Sequence, residues 1–259
     1  RVSPREHHGG VQRSIVDLAA AMDPERVQHD LFTVADDGPW DTCYQLPNLK
    51  IYAAKRSGIL LNCDYSTSAT RQFRNLAAQA DIINYHLPWP FAQVLDRNVP
   101  SGKRRIATYH ADICRYPWAE FLYRPFLRRF LRRLDGVVCT SERYKETSQI
   151  LRSLPDHKVY VAELGINLPV LIQEAFEIHS NNVAKFFARE KFTLFLGATR
   201  LYKGLETAIE ALLYTDSRLV IAGHSPNYTE LMAKAKRLGV ADRLLFLGSV
   251  EEEEKWALI

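Results

Sequence analysis

Short apolar runs alternate along this chain with longer stretches whose apolar positions fall three or four residues apart. The first pattern predicts strands and the second amphipathic helices. Strands are predicted at residues 30–35, 49–54, 82–86, 106–110, 136–140 and 158–162, and helices at 11–22, 67–79, 122–134 and 142–154. After Pro169 the rhythm pauses, and residues 170–191 read as a helical connector. It restarts with strands at 192–197, 219–223 and 243–247, helices at 205–213 and 229–238, and a helix beginning near Glu251. Strands that alternate with helices build a parallel sheet with helices on both faces. The chain is therefore predicted to be α/β, with two Rossmann-like units joined near residues 170–190.

Individual positions refine this picture. The run 192–197 suits a strand buried on both faces. Leu205, Ala208, Ile209, Leu212 and Leu213 form the core stripe of the helix that follows it. Val11, Ile15, Leu18, Ala19 and Met22 do so for the first helix, and Leu127, Phe130, Leu131 and Leu134 for the helix at 122–134. Gly239 fits the left-handed position just past a helix end. Glu251 to Glu254 read as a first helical turn, where carboxylates suit the macrodipole.

Composition narrows the class. The chain has 259 residues, enough for one large or two ordinary domains, with 47% apolar and 25% charged residues, as in ordinary globular proteins. A net charge of +4 is too small to argue for nucleic acid. Cys43, Cys63, Cys114 and Cys139 are scattered, which argues against zinc and against a disulfide framework; Cys139, in an apolar strand, reads as a core residue. There is no signal peptide, and no apolar run approaches the roughly 20 residues of a membrane span, so a cytosolic protein is expected.

Candidate chemistry gathers where predicted strands end and helices begin. In His8-Gly9-Gly10-Val11-Gln12-Arg13, glycines at a helix start let backbone N–H groups approach a ligand; the bland reading is a tight turn. His110, in Thr108-Tyr109-His110-Ala111-Asp112, falls at the C-terminal edge of a sheet, where open α/β sheets bind ligands. A histidine there can hydrogen-bond a sugar hydroxyl or stabilise developing charge; the bland reading is a structural histidine. His86 ends another predicted strand and is expected to line the same cleft. Arg200 and Lys203 stand between a strand end and a helix start, an arrangement suited to a diphosphate and otherwise two solvated loop cations. Gly223 and the Ser249-Val250 pair follow two further strand ends. Three strand ends facing one way suit a nucleotide. Arg128, Arg129, Arg132 and Arg133 cover the helix at 122–134 outside its apolar stripe. They could attract an anionic membrane surface or lipid-linked substrate, or form a solvated face on a core helix. No interleaved aromatics or known module point to nucleic acid.

In order, the segments are GGVQR, TYHADICR, TSERYKETSQIL followed by a strand and ELGIN, LGATRLYKGLETAIEAL, LVIAGHSP and RLLFLGSVEEEEKWAL. This ordered set resembles the GT-B glycosyltransferases of family 4, retaining enzymes that use nucleotide-diphosphate sugars, over essentially the whole chain. TYHADICR and TSERYKETS are most similar to members that build bacterial O-antigen or exopolysaccharide, often with mannose. The resemblance implies two Rossmann-like domains facing across a cleft: an acceptor-side domain at 1–170, a connector at 171–190, and an incomplete donor-nucleotide domain at 191–259. It implies Gly9 and Gly10 near the donor diphosphate, and His110 as the active-site histidine beside the transferred sugar. Arg200 and Lys203 would neutralise the leaving diphosphate, and Gly223, Ser249 and Val250 would approach the nucleoside. The implied donor is GDP-mannose or a UDP-sugar, and the implied acceptor a saccharide or lipid-linked saccharide. No metal or other cofactor is expected, since the cations carry the charge stabilisation. The implied location is the cytoplasm, peripheral on the inner face of the plasma membrane.

Departures from the family pattern sharpen the expectation. Many members place arginine directly after the strand glycine; here Ala198 stands there and Arg200 follows later, as in some other members. The family's E-x7-E pair, which holds the donor sugar and ribose, is expected shortly beyond Ile259. Both ends read as cut, and a polypeptide ending at Ile259 is expected to be inactive. Two alternatives stay open: a sugar-nucleotide epimerase of the same architecture, and a non-catalytic truncated GT-B binding protein. The absence of G-x-G-x-x-G argues against a Rossmann dehydrogenase.

Overall fold

The computed structural model describes residues 10–43, 46–113, 117–165, 192–199 and 203–259. The chain divides into two compact units, Arg1–Asn167 and Leu168–Ile259. The connector read at 171–190 lies outside the described residues.

The first unit opens with helix α1 (Gly10–Ala21). Strand β1 (His29–Ala35) runs parallel to β3 (Leu49–Lys55), and β2 (Trp40–Cys43) adds to β3 antiparallel, giving the order β1-β3-β2. A hairpin, β4 (Gly58–Leu60) and β5 (Cys63–Tyr65), precedes α2 (Ala69–Gln79). Then come β6 (Ile82–Leu87), α3 (Ala92–Asp96), β7 (Arg104–Tyr109), α4 (Pro117–Arg133), β8 (Gly136–Cys139), α5 (Glu142–Thr147) and β9 (Val159–Val161). These four strands form an all-parallel sheet in the order β6-β7-β8-β9. One core joins it to the three-stranded sheet: Val34, Ala54, Phe73, Tyr85, Tyr109, Leu131 and Val137 are all buried together.

The expected stripe of α4 is buried as read, at Leu127, Phe130, Leu131 and Leu134, and Cys139 is a core residue. Other expectations need correction. In α1 only Ile15 and Ala19 of the stripe are buried, while Val11, Leu18 and Met22 are exposed. The helix meets its sheet through Ala19 against Leu49 and Ile51, and buried Asn48 donates to the Ala19 carbonyl at 2.8 Å, closing the helix end. The helix read at 142–154 is broken. Ser148 takes an extended conformation after α5, and a tight turn at Leu151–Ser153 follows. The Ser148 hydroxyl is drawn to Asp112 and accepts from the Leu151 N–H, which substitutes for helical bonding. Strand β2, the β4–β5 hairpin and α3 are too short to establish a period in the sequence.

The second unit contains β10 (Phe192–Leu196), α6 (Leu205–Ala211), β11 (Arg218–Ala222), α7 (Tyr228–Arg237), β12 (Leu244–Gly248) and α8 (Glu252–Leu258). Its sheet is parallel, in the order β10-β11-β12. The central strand β11 is the one buried on both faces: Leu219 and Ile221 pack on α6 and α7, and Val220 and Ala222 pack on Leu258. Strand β10, expected to be buried on both faces, has one neighbour among the described strands and leaves Leu196 41% exposed. In α6 the stripe holds at Leu205, Ile209 and Leu212, but Leu213 is exposed because the last turn tightens over Leu212–Tyr214. Gly239 has φ +72, as its helix-end position requires. Glu251 caps α8 in a reciprocal box with Glu254, so the acidic run is a helix start.

Candidate active site

Strand parity brings two histidines together. Even-numbered residues of β6 and β7 share one face of the sheet, and His86 is in register with Thr108. Odd-numbered Ile83, Tyr85, Leu87, Ala107 and Tyr109 enter the core. Asn84 and Thr108 occupy the even face, joined by a 3.0 Å hydrogen bond. His110 lies one residue past β7 on that same face, held there by its own N–H, which donates to the Leu87 carbonyl at 2.9 Å. His86 Nδ1 and His110 Nε2 are consequently 2.9 Å apart, with the rings at 17° to each other. One ring donates and the other accepts, so the contact requires at least one neutral imidazole.

Both rings are half-buried. Burial, and then the neighbouring His110, pushes the His86 imidazole down to about 4. Burial also lowers His110. The pair is therefore neutral at pH 7 and can act through hydrogen bonds. This has a cost in acid. Between pH 6.5, the ordinary histidine value, and about 4, the unfolded chain binds a proton that folded His86 refuses. Stability is full above pH 6.5 and falls toward pH 4, by up to about 3 kcal/mol from His86. Melting temperature against pH should show this acid-side loss, and His86→Gln should flatten it. Equal slopes for the two proteins would contradict the assignment.

A second set of residues holds the His110 loop. The Tyr109 hydroxyl and the Ser148 hydroxyl both donate to Asp112 Oδ1 at 2.9 Å. Burial, and then the Asp112 carboxylate, raises the Tyr109 phenol above its ordinary range. The Tyr109 ring stacks on Tyr144 at 8°. Nothing local in the sequence marks Asp112 and Ser148 as partners. They are 36 residues apart, and their contact forms only when α5 is laid beside β7 and the loop that follows it.

In the second unit the parallel strands bring three expected loops to one sheet edge. Gly197 N–H donates to the Ala222 carbonyl at 2.8 Å, and Gly223 N–H donates to the Gly248 carbonyl at 2.6 Å. Buried Thr199 donates through its N–H to the His224 carbonyl at 3.1 Å and through its hydroxyl to Asn227. Gly223 has φ +145, and a Cβ there would overlap the Gly197 carbonyl, so the fold itself demands this glycine. Ser249 is exposed, while Val250 packs partly on the core beside Leu258. Lys203 is exposed just before Gly204, whose φ of +73 starts α6. Arg200 and Gly9 lie outside the described residues. Gly10 begins α1, and a Cβ there would meet open space, so packing does not explain it.

The arginine helix is longer than read. It begins at Pro117 and runs through Pro125. Arg129, Arg132 and Arg133 are exposed and Arg128 is half-buried. Arg132 donates to the Ser153 carbonyl at 3.0 Å, and Arg124 pairs with Glu120 at 2.7 Å. The longer helix also carries exposed aromatic side chains, Trp118, Phe121 and Phe126. Among the described residues no helix is long and apolar enough to cross a membrane, and no group of three or more His, Cys, Asp or Glu is placed to hold a metal ion.

The chain is 34% identical over 251 residues to the D-rhamnosyltransferase WbpZ of Pseudomonas aeruginosa, covering 97% of this chain and 65% of WbpZ. It is 29% identical to the O-antigen chain mannosyltransferase C of Escherichia coli, covering 97% of this chain and 66% of that protein. The chain thus spans about two thirds of these relatives' length. Its fold is that of Anabaena HepE, solved with UDP and glucose, at a TM-score of 0.68 and 14% identity, covering 97% of this chain and 68% of HepE. This is the GT-B type of α/β architecture. The model for glycosyl transferases group 1 matches residues 179–259. The model for Glycosyltransferase Family 4 matches residues 8–169, more than half of the sequence, and the chain belongs to that family.

Proposed function

We propose that the full-length protein is a retaining glycosyltransferase that transfers a sugar from GDP-mannose or a UDP-sugar to a saccharide or lipid-linked acceptor in cell-surface polysaccharide synthesis. The observation that carries the reading is the neutral His86–His110 pair at the C-terminal edge of a parallel sheet, in a chain of this family. The names of the relatives support it: one is a D-rhamnosyltransferase and one an O-antigen chain mannosyltransferase, and HepE was solved with UDP and glucose.

In this reading His110 hydrogen-bonds a hydroxyl of the transferred sugar while His86 fixes its tautomer. The donor diphosphate is met by Arg200 and Lys203. Gly223 and the Ser249-Val250 segment flank the nucleoside. Charge developing on the leaving diphosphate is neutralised by these fixed cations, so the reading requires no metal. The arginines of α4 attract the protein to anionic lipid on the inner face of the plasma membrane.

The test is transfer by the full-length protein with GDP-mannose and UDP-sugars, following nucleoside diphosphate release and the anomeric configuration of the product. Acceptor-dependent release with retained configuration is expected. Isomerised sugar nucleotide without an acceptor would identify an epimerase, and binding without turnover a non-catalytic protein. In the same protein, Lys203→Ala should weaken nucleotide-diphosphate binding by roughly 1.5–3 kcal/mol, the range for charged hydrogen bonds. Unchanged affinity in calorimetry would remove Lys203 from the site.

A further inference from the structure

Helix α4 has two faces, and among the described residues one of them packs into the core. Leu127, Phe130, Leu131 and Leu134 are buried. On the opposite side, at spacings of three and four, stand Trp118, Phe121, Leu122 and Phe126, which are 62%, 71%, 62% and 65% exposed. The same stripe continues through Arg129, Arg132 and Arg133. A shallow groove lined by Pro125, Phe126, Arg128, Arg129, Arg132 and Arg133 on this side joins the apolar half to the basic half. An exposed cluster of large aromatics at helical spacing marks an interaction surface.

The charge on this face selects the occupant. Glu120 is the acidic residue of the helix, and its carboxylate is taken by Arg124. What is left is apolar surface and guanidinium groups. The two are segregated along the axis, aromatics toward the N-terminus and arginines toward the C-terminus. A nucleic acid needs stacking groups and cations interleaved along its strand. A bilayer needs a gradient of depth, with aromatics at the acyl boundary and arginines at the headgroups.

We propose that α4 inserts its N-terminal half into an anionic bilayer, with Trp118, Phe121, Leu122 and Phe126 entering the acyl boundary and Arg129, Arg132 and Arg133 contacting lipid phosphates. The proposal rests on the membrane reading above and deepens it, because electrostatic attraction alone needs no insertion. It sets the first unit on the membrane by a defined helix and a defined tilt, with the N-terminal end deeper.

The test uses the full-length protein and phosphatidylcholine vesicles with and without phosphatidylglycerol, some carrying nitroxide-labelled acyl chains. Tryptophan fluorescence should be quenched by the labelled chains, and Trp118→Phe should remove that quenching. Phe121→Ser and Phe126→Ser should each weaken partitioning roughly tenfold at any salt concentration, with unchanged melting. Replacing Arg129, Arg132 and Arg133 by glutamine should remove only the part of binding that salt also removes. Salt-sensitive binding with no acyl-chain quenching and no effect of the phenylalanine variants would overturn insertion and leave the electrostatic reading standing. No binding to either vesicle would overturn both. If the phenylalanine variants instead abolished self-association or binding of single-stranded RNA while partitioning stayed intact, the surface would belong to that partner and the proposal would be wrong.

Discussion

Replacing His110 with alanine in the full-length protein is expected to leave folding and nucleotide affinity near normal while turnover falls roughly 10²–10³-fold, the 2.7–4 kcal/mol that one charge-stabilising contact supplies. The backbone bond from His110 N–H to the Leu87 carbonyl survives the substitution, so the loop keeps its anchor. Asp112, with its bonds from Tyr109 and Ser148, holds the other side of the loop. What is lost is the imidazole and its contact with His86. Turnover with matched donor and acceptor, read beside thermal melting, decides the matter. Near-normal turnover would remove His110 from the mechanism. Lost turnover accompanied by lost folding would make it a structural histidine.

Gly223→Ala is expected to destabilise the second unit by roughly 2–6 kcal/mol. A backbone held at φ +145 strains any residue with a Cβ, by about 1–3 kcal/mol. The added methyl would also overlap the Gly197 carbonyl, and overpacking costs about 1–3 kcal/mol again. Neither neighbour can yield cheaply, because the N–H groups of Gly197 and Gly223 are bonded across to β11 and β12. Denaturant unfolding would measure the loss. Gly10→Ala supplies the contrast: open space surrounds that position, so its stability should barely change. Equal, small effects at both sites would show that the strand ends are not packed as described.

Periodicity alone located the parallel strands β6, β7, β8, β10, β11 and β12 and the helices between them, since apolar spacing follows directly from which face of an element is buried. It also found the buried stripe of α4, because Leu127, Phe130, Leu131 and Leu134 recur at helical spacing. The same helix shows the limit. Trp118, Phe121, Leu122 and Phe126 follow an equally good spacing, and nothing local distinguishes a stripe that meets a sheet from one that meets solvent. In α1, likewise, Leu18 is more apolar than Ala19, yet Leu18 is exposed and Ala19 packs on Leu49 and Ile51.

The sequence by itself determined the alternation of strands and helices, the positions of His86 and His110 at strand ends, and the order of motifs that marks the family. Each depends on local pattern or on residue identity. The tertiary structure decided which histidine atoms meet, through the register of β6 on β7 that sets His86 opposite Thr108. It decided that Ser148 leaves its helix to serve Asp112, a contact between residues 36 apart. It also decided that Gly223 is required by the Gly197 carbonyl behind it. These are contacts between distant segments, and their energies depend on distances that no window of residues contains.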